Sequence, residues 1–225
     1  MNYSLIIPIY NEGHSLNKLL KQLQKLDRSI EIIIIDDGSN DNTKSILECQ
    51  SSFKVIKHQK NLGKGASIIS GINDAKHDNI ILMDGDLEVE MNSVIKAIKV
   101  YENNYPNIVI NGCRWNKKSN PGFSINTYGN SIINFIFNNL YKTNITDVLC
   151  CVKIFEKELF NSLNITSKSF SIEIEVMSKL ALKKRRFNEV DVVYNRRSSK
   201  DGKKLKISDA WGILWKMLKI RLNNN

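Results

Sequence analysis

Residues 79–88 read NIILMDGDLE, an apolar, strand-like run that stops at two carboxylates one residue apart, Asp84 and Asp86. At a strand end that spacing lets both approach one hard divalent cation. Mg²⁺ and Mn²⁺ prefer such oxygen ligands and often share them with substrate phosphates. Glu88, two residues on, is a third candidate donor. By itself the pair is a weak signal that more often marks a solvated turn, and an EF-hand is excluded because the twelfth position from Asp84 is Ile95 rather than Glu.

A second acidic pair, Asp36 and Asp37, precedes Gly38 and Ser39. A carboxylate there can accept a hydrogen bond from a base N–H or a ribose hydroxyl, while Ser39 or Asp41 is suited to capping the next helix. NLGKGAS at 61–67 is not a phosphate loop of the P-loop type. His58 stands where the first glycine belongs, and Gly65 rather than Ser or Thr follows Lys64. What it leaves is a flexible glycine pair that carries Lys64 into a helix N-terminus, an anion-facing loop. His14, His58 and His77 share no ligand spacing and read as surface or structural residues.

These groups need elements to hold them. Apolar, β-branched runs at Tyr3–Ile9, Ile30–Ile35, Phe53–Ile56, Asn79–Met83 and Ile108–Ile110 read as strands. Helical spacing predicts helices over Ser15–Leu26, Asp41–Cys49, Ala66–Asn73 and Asn92–Glu102. Strands apolar on both faces and separated by helices predict an α/β fold, a mostly parallel sheet with helices on both faces. Ligands of such sheets bind beyond the carboxyl ends of the strands. PIYNE, DDGS and MDGD fall at three such ends and converge on one cleft. Further on, helices are expected at Ile125–Leu140 and Glu173–Leu182, with strands at CVKIF (151–155) and Asn188–Val193.

The composition is that of a globular protein, 225 residues with 42% hydrophobic and 25% charged. No run reaches the roughly 18 apolar residues of a membrane span, and the N-terminal stretch lacks a signal-peptide pattern. Cytoplasmic residence is the expectation, and Cys49, Cys113, Cys150 and Cys151 read as reduced thiols without metal spacing. The net charge of +10 is concentrated late, in LKKRRF (182–187) and RRSSKDGKKLK (196–206). It indicates an anionic partner or a solvated basic face; no nucleic-acid motif accompanies it. Trp211, Leu214, Trp215, Leu218 and Leu222 recur at helical spacing among Lys216, Lys219 and Arg221. That basic amphipathic helix suits a membrane surface, or else packs its apolar stripe on the domain. No linker or repeat interrupts the chain, so one domain is expected over 1–225.

Taken in order, PIYNE (8–12), DDGSND (36–41), NLGKGAS (61–67) and MDGDLE (83–88) resemble the nucleotide-binding half of inverting family-2 glycosyltransferases of the GT-A fold. GCR (112–114), ITDVLCCVKIF (145–155), IEIEVM (172–177) and EVDVVYNRRSSKDGKKL (189–205) extend the resemblance to the dolichyl- and undecaprenyl-phosphate mannose and glucose synthases. The resemblance implies a nucleotide-sugar half at 1–112, an acceptor half at 113–206 and a surface helix at 207–222. Pro8, Tyr10, Asn11, Glu12, Asp37, Lys64 and Asp84 would bind the nucleotide sugar, and Asp84, Asp86 and Glu88 would hold Mg²⁺ or Mn²⁺. Glu88 stands where this subgroup commonly has Gln. Arg114, Lys153, Arg197 and Lys203 would face the phosphates or the acceptor, and Asp86, Asp147 and Arg114 would carry the catalysis. Asp191 departs from the usual Pro, and LCCV lacks the Gly of many relatives.

The implied reaction moves a hexosyl unit from a GDP- or UDP-hexose to a polyprenyl phosphate with inversion, metal-dependently, on the cytoplasmic membrane face. A saccharide acceptor is the alternative, for which Asp147 would be the general base. A Mg²⁺-binding receiver domain is a remote rival, because a strand precedes the acidic pair and IVINGC lacks the receiver lysine. A sugar-nucleotide binder without catalysis does not account for the intact acidic and basic motifs.

Overall fold

The computed structural model describes residues 1–115, 125–197 and 207–223. Its strands are β1 (Tyr3–Ile9), β2 (Ile30–Asp36), β3 (Lys54–Lys57), β4 (Asn79–Leu82), β5 (Ile108–Cys113), β6 (Lys153–Glu156) and β7 (Arg186–Asp191). They form one sheet in the order β3-β2-β1-β4-β6-β5-β7. β1 pairs in parallel with β2 and β4, β2 with β3, and β5 with β7; β6 alone runs antiparallel, between β4 and β5. The chain winds outward from β1 to β3 and then crosses back to β4. The ends of β1 and β4 therefore flank the point where the strand order reverses, the usual crevice for a ligand.

Alternate residues of the buried strands feed two cores. Ile33 and Ile35 pack with α3 (Lys64–Asp74), α5 (Ile125–Tyr141), α7 (Ile172–Leu182) and α8 (Ile207–Leu222). Ile32 and Ile34 pack on the other face with α1 (Gly13–Leu23), α2 (Thr43–Glu48) and α4 (Met91–Asn104). The short α6 (Lys157–Asn161), which the periodicity does not reveal, adds Leu159 and Phe160 to the first core.

Most expected elements form, with shifted ends. The helix expected over Asp41–Cys49 begins at Thr43, with Asp41 left outside it: Thr43 N donates to its Oδ1 at 2.9 Å. Its other oxygen accepts the N–H of Gly13 at 3.1 Å, which starts α1 two residues before Ser15. β7 lies two residues earlier than expected because its pairing with β5 runs from Ile108↔Arg186 to Cys113↔Asp191.

α8 departs most from its apolar stripe. Ile213, Met217 and Ile220 make the packed face, whereas Trp211 and Trp215 are 75% and 68% exposed. Leu218 and Leu222 also point outward. Lys216 ties the helix down by an ion pair to Glu175 on α7 at 3.0 Å. Tyr141 Oη donates to the carbonyl of Met217 at 2.7 Å, joining α5 to α8.

Glu175 is almost fully buried and accepts bonds from Lys179, Ser167 and Thr166 as well. Burial pushes its carboxyl up, but the bonds from Lys179, Ser167 and Lys216 outweigh it and bring the pKa down to about 2. A depressed carboxylate stabilises the fold above the unfolded value of 4.5 and loses that contribution as pH falls towards 2. Denaturant unfolding at pH 7, 4 and 2.5 is expected to show a smaller acid loss in Glu175→Gln than in the parent, starting from a lower stability at pH 7.

Candidate active site

β1 ends at Ile9, and the chain turns through Asn11 in the left-handed region, φ 53°. Asn tolerates that conformation, and its backbone and side chain each make one bond to the turn after β2. Asn11 N donates to Ser39 Oγ, and Asn40 N donates to Asn11 Oδ1, both at 2.9 Å. Glu12 N donates to Thr43 Oγ1 at 2.9 Å. PIYNE and DDGSND are thus stitched into one rim, and Ser39 serves this stitch rather than a helix cap. Tyr10 is half-buried on the rim, and Pro8 lines a small pocket with Lys64, Asp84, Cys151 and Glu173.

Asp84 and Asp86 stand beside this rim. A Cβ on Gly85 would lie 2.3 Å from Ile9 Cγ2, so only glycine lets the turn lie this close to β1. The ammonium of Lys64 sits 2.7 Å from Asp84 Oδ1 and 2.5 Å from Glu173 Oε1. Asp86 has Arg197 Nη2 at 3.6 Å. Burial, with Asp84 and then Glu88 adding like charge, pushes its carboxyl up to about 7. Lys64 contacts both oxygens of Asp84, the second at 2.9 Å, while Asp86 has only the more distant Arg197; the pair offers oxygen ligands alone, the type a hard divalent cation takes.

The structure gives Glu88, the third candidate donor, other partners than the Asp84–Asp86 pair. Tyr194 Oη donates to Glu88 Oε2 at 2.7 Å and Arg197 N donates to Oε1 at 3.0 Å. Among the described residues no group of three or more His, Cys, Asp or Glu side chains is placed to share an ion. Glu88 instead fastens the segment after β7, which also bridges Val89 to Tyr194. That segment brings Arg197 across the rim, where Nη1 and Nη2 donate to the two oxygens of Glu12 at 2.9 and 3.1 Å. Lys203 lies outside the described residues.

Asp37, the other nucleotide candidate, is 3% exposed and holds the glycine loop through Leu62 N and Gly63 N, at 2.9 and 2.8 Å. The glycine pair is packed rather than flexible. A Cβ on Gly63 or Gly65 would stand 2.3 or 2.2 Å from the carbonyl oxygens of Lys168 and Ser167 respectively.

The acceptor-half candidates form a buried network. Arg114 donates from Nε and Nη2 to Asp147 Oδ2 and Oδ1, both at 2.7 Å, and its backbone N adds a third bond to Oδ2 at 3.0 Å. Its guanidinium lies 5.6 and 5.4 Å from the ring centres of Trp115 and Tyr194. Asp147 is fully buried, with both oxygens spent on Arg114. It orients that arginine and is closed to a substrate hydroxyl, which corrects its expected role as a base. Lys153 is likewise turned inward: its Nζ donates to Asn111 Oδ1 at 2.7 Å and to the Cys150 carbonyl at 2.8 Å. Burial holds its pKa below the usual lysine value. It braces the 147–152 loop instead of facing an acceptor phosphate.

Sequence reasoning assigned no role to Glu173, Glu189 or Tyr194. Glu189 receives Thr146 N at 2.8 Å and Asp147 N at 3.2 Å, fixing the loop that carries Asp147. All three lie in the segments IEIEVM and EVDVVYN, where acidic residues interrupt apolar runs. That interruption is the signal available from sequence.

A doubly wound sheet whose acidic strand ends meet Arg197 at the reversal of strand order defines a ligand site of the open α/β class. Residues 4–163 match the sequence profile of Glycosyl transferase family 2, and the chain belongs to that family. It is similar to the undecaprenyl-phosphate 4-deoxy-4-formamido-L-arabinose transferase of Serratia proteamaculans, 27% identical over 89% of this chain and 62% of that one. The Pseudomonas syringae protein of the same name is 32% identical over 45% of this chain and 33% of its own. The chain therefore spans less than two thirds of the length of these relatives. Its fold is that of glucosyl-3-phosphoglycerate synthase from Mycobacterium tuberculosis, solved with Mn²⁺, UDP and glucosyl-3-phosphoglycerate. The TM-score is 0.73 at 14% identity, covering 97% of this chain and 79% of that one.

Proposed function

We propose that this chain is a metal-dependent, inverting glycosyltransferase that moves a hexosyl unit from a GDP- or UDP-hexose to a polyprenyl phosphate. The observation that carries this reading is the meeting of Glu12, Asp84 and Asp86 with Lys64 and Arg197 at the reversal of strand order. Relatives named for undecaprenyl-phosphate transfer, and a fold neighbour solved with Mn²⁺ and UDP, support it.

Residues 1–112 form the donor half, with Pro8, Tyr10, Asn11, Glu12 and Asp37 along the base and ribose. Asp84 and Asp86 would hold Mg²⁺ or Mn²⁺, which supplies charge neutralisation for a departing diphosphate. Lys64 already bridges Asp84 and Glu173, so its ammonium stands ready beside the same phosphates. An oxygen of the acceptor phosphate attacks the anomeric carbon opposite the diphosphate. The new C–O bond forms as the bond to the β-phosphate oxygen breaks, and the electron pair leaves on the nucleoside diphosphate. The acceptor is already an anion, so no protein base is required. Arg197 would guide its approach, with Arg114 and Lys203 the further basic groups the resemblance implies for the acceptor half. Asp147, the base named for a saccharide hydroxyl, is locked to Arg114, which favours the lipid phosphate over the saccharide alternative.

No described helix is long and apolar enough to cross a membrane. A peripheral position on the cytoplasmic membrane face is supported by α5 and α8 together. Tyr128, Ile132 and Phe135 of α5 are as outward-facing as Trp211 and Trp215 of α8, and the two helices touch. Lys219 and Arg221 lie in the last turn of α8. Co-sedimentation with anionic vesicles is expected to weaken by about tenfold for each of Trp211→Ser and Trp215→Ser. Undiminished binding by the double variant would remove the membrane assignment.

The catalytic reading is tested by screening radiolabelled UDP- and GDP-sugars with Mg²⁺ or Mn²⁺ against a short polyprenyl phosphate and free saccharides. Label is expected in the lipid fraction; label in a saccharide product instead would select the alternative.

A further inference from the structure

We propose that His58 is a positioning residue of the donor site: backed by Ser70, it orients Asp37 and through it the 61–64 loop that presents Lys64 to Asp84. The proposal rests on the nucleotide-sugar reading given above. His58 follows β3, and its side chain is buried at 8% exposure, against 5% for that of Asp37. Its Nδ1 lies 2.8 Å from Asp37 Oδ1, and its Nε2 lies 3.0 Å from Ser70 Oγ. A nitrogen facing a carboxylate carries the proton, so in the neutral ring Nε2 accepts the Ser70 hydroxyl.

The bonds form a two-point fixture. Ser70 sits in the body of α3, while Asp37 grips the loop just ahead of that helix through Leu62 N and Gly63 N. Between the two grips lies Lys64, the first residue of α3, whose ammonium reaches Asp84. Rotation of Asp37 would release the two amides and let the helix start move. A carboxylate offers about four acceptor positions. His58, Leu62 and Gly63 take three of them, and among the described residues Gly63 alone uses Oδ2. The remaining position, on Oδ2, is left for one N–H or O–H donor of a base or ribose. His58 thereby decides where that last acceptor points.

The order Asp–His–Ser also occurs in hydrolytic triads, which are recognised by an adjacent oxyanion hole. Ser70 lies past the first turn of α3, where the helix spends its own N–H groups, so the array holds a position and performs no acyl chemistry.

The test compares His58→Phe, His58→Asn and Ser70→Ala with the parent. Affinity for UDP and GDP is measured by calorimetry, donor KM and kcat in the transfer assay, and hydrogen exchange at the Leu62 and Gly63 amides. Losing a hydrogen bond to a charged group corresponds to roughly ten- to a hundred-fold. His58→Phe is expected to weaken nucleotide binding and raise donor KM by that factor, with a smaller change in kcat and faster exchange at both amides. His58→Asn, which keeps an N–H for Asp37, is expected to recover most of the affinity, and Ser70→Ala to give an intermediate loss. A folded His58→Phe protein with parental affinity and parental exchange would overturn the proposal. A parent that binds neither nucleotide would overturn the functional reading instead, and amide exchange alone would then decide whether His58 holds the loop.

Discussion

Asp86→Asn is expected to cut sugar transfer by at least about 10²–10³-fold, the cost of removing one group that stabilises charge at a reacting centre. The substitution keeps the shape of the side chain and removes only its charge. Asp86 is crowded by Asp84 and Glu88, and its carboxyl is already pushed up to about 7. A raised pKa means the protonated form suits the metal-free fold: this group's stabilising contribution is complete below 3.8 and lost as pH rises through about 7. In chelator-treated protein at pH 8 the asparagine variant is therefore expected to be at least as stable as the parent. Activity and stability should move in opposite directions, as at sites built for function against their own stability. Transfer assays, thermal unfolding with chelator and Mn²⁺ binding by electron paramagnetic resonance check the three parts. Full activity in the variant would refute the metal assignment.

Asp147→Ala is expected to destabilise the protein by about 3–5 kcal/mol, because it strands the Arg114 guanidinium in a largely dry setting. Arg114 gives Asp147 three hydrogen bonds, and the carboxylate is fully buried. Removing both partners together should cost less than removing one, since a buried pair that is replaced by apolar groups leaves no uncompensated charge. Arg114→Met with Asp147→Leu is thus expected to recover much of the stability and none of the transfer activity. Denaturant unfolding of the two single variants and the double variant measures the coupling. Additive losses would show that the pair does not act as a unit.

The central strands β1, β2, β4 and β5 were legible because they are apolar on both faces, a pattern that a sheet covered on both sides explains. PIYNE, DDGS and MDGD were legible because turn formers and carboxylates end those runs. The roles of individual acidic and basic residues were much less so. Glu88, Asp147 and Lys153 have the types and spacing of ligands, yet Tyr194, Arg114 and Asn111 have claimed them. Those partners lie 106, 33 and 42 residues away along the chain, beyond the reach of any local pattern. The same holds for α8, where Trp211 and Trp215 appear on one apolar stripe with Leu214 and Leu218. The helix rotates to bury Ile213, Met217 and Ile220, because α5 and α7 offer their groove to that face.

By itself the sequence determined the layered α/β architecture, the family resemblance and the convergence of acidic strand ends on one crevice. These follow from periodicity and from short motifs whose physics is local. Only the tertiary structure decided which charged groups face the crevice and which are consumed inside the protein. A buried charge must find a partner at hydrogen-bonding distance, and the identity of that partner is set by packing between distant segments. Asp84 and Asp86 remain open to a ligand because Lys64 and Arg197 neutralise them only in part, whereas Asp147 and Lys153 are enclosed.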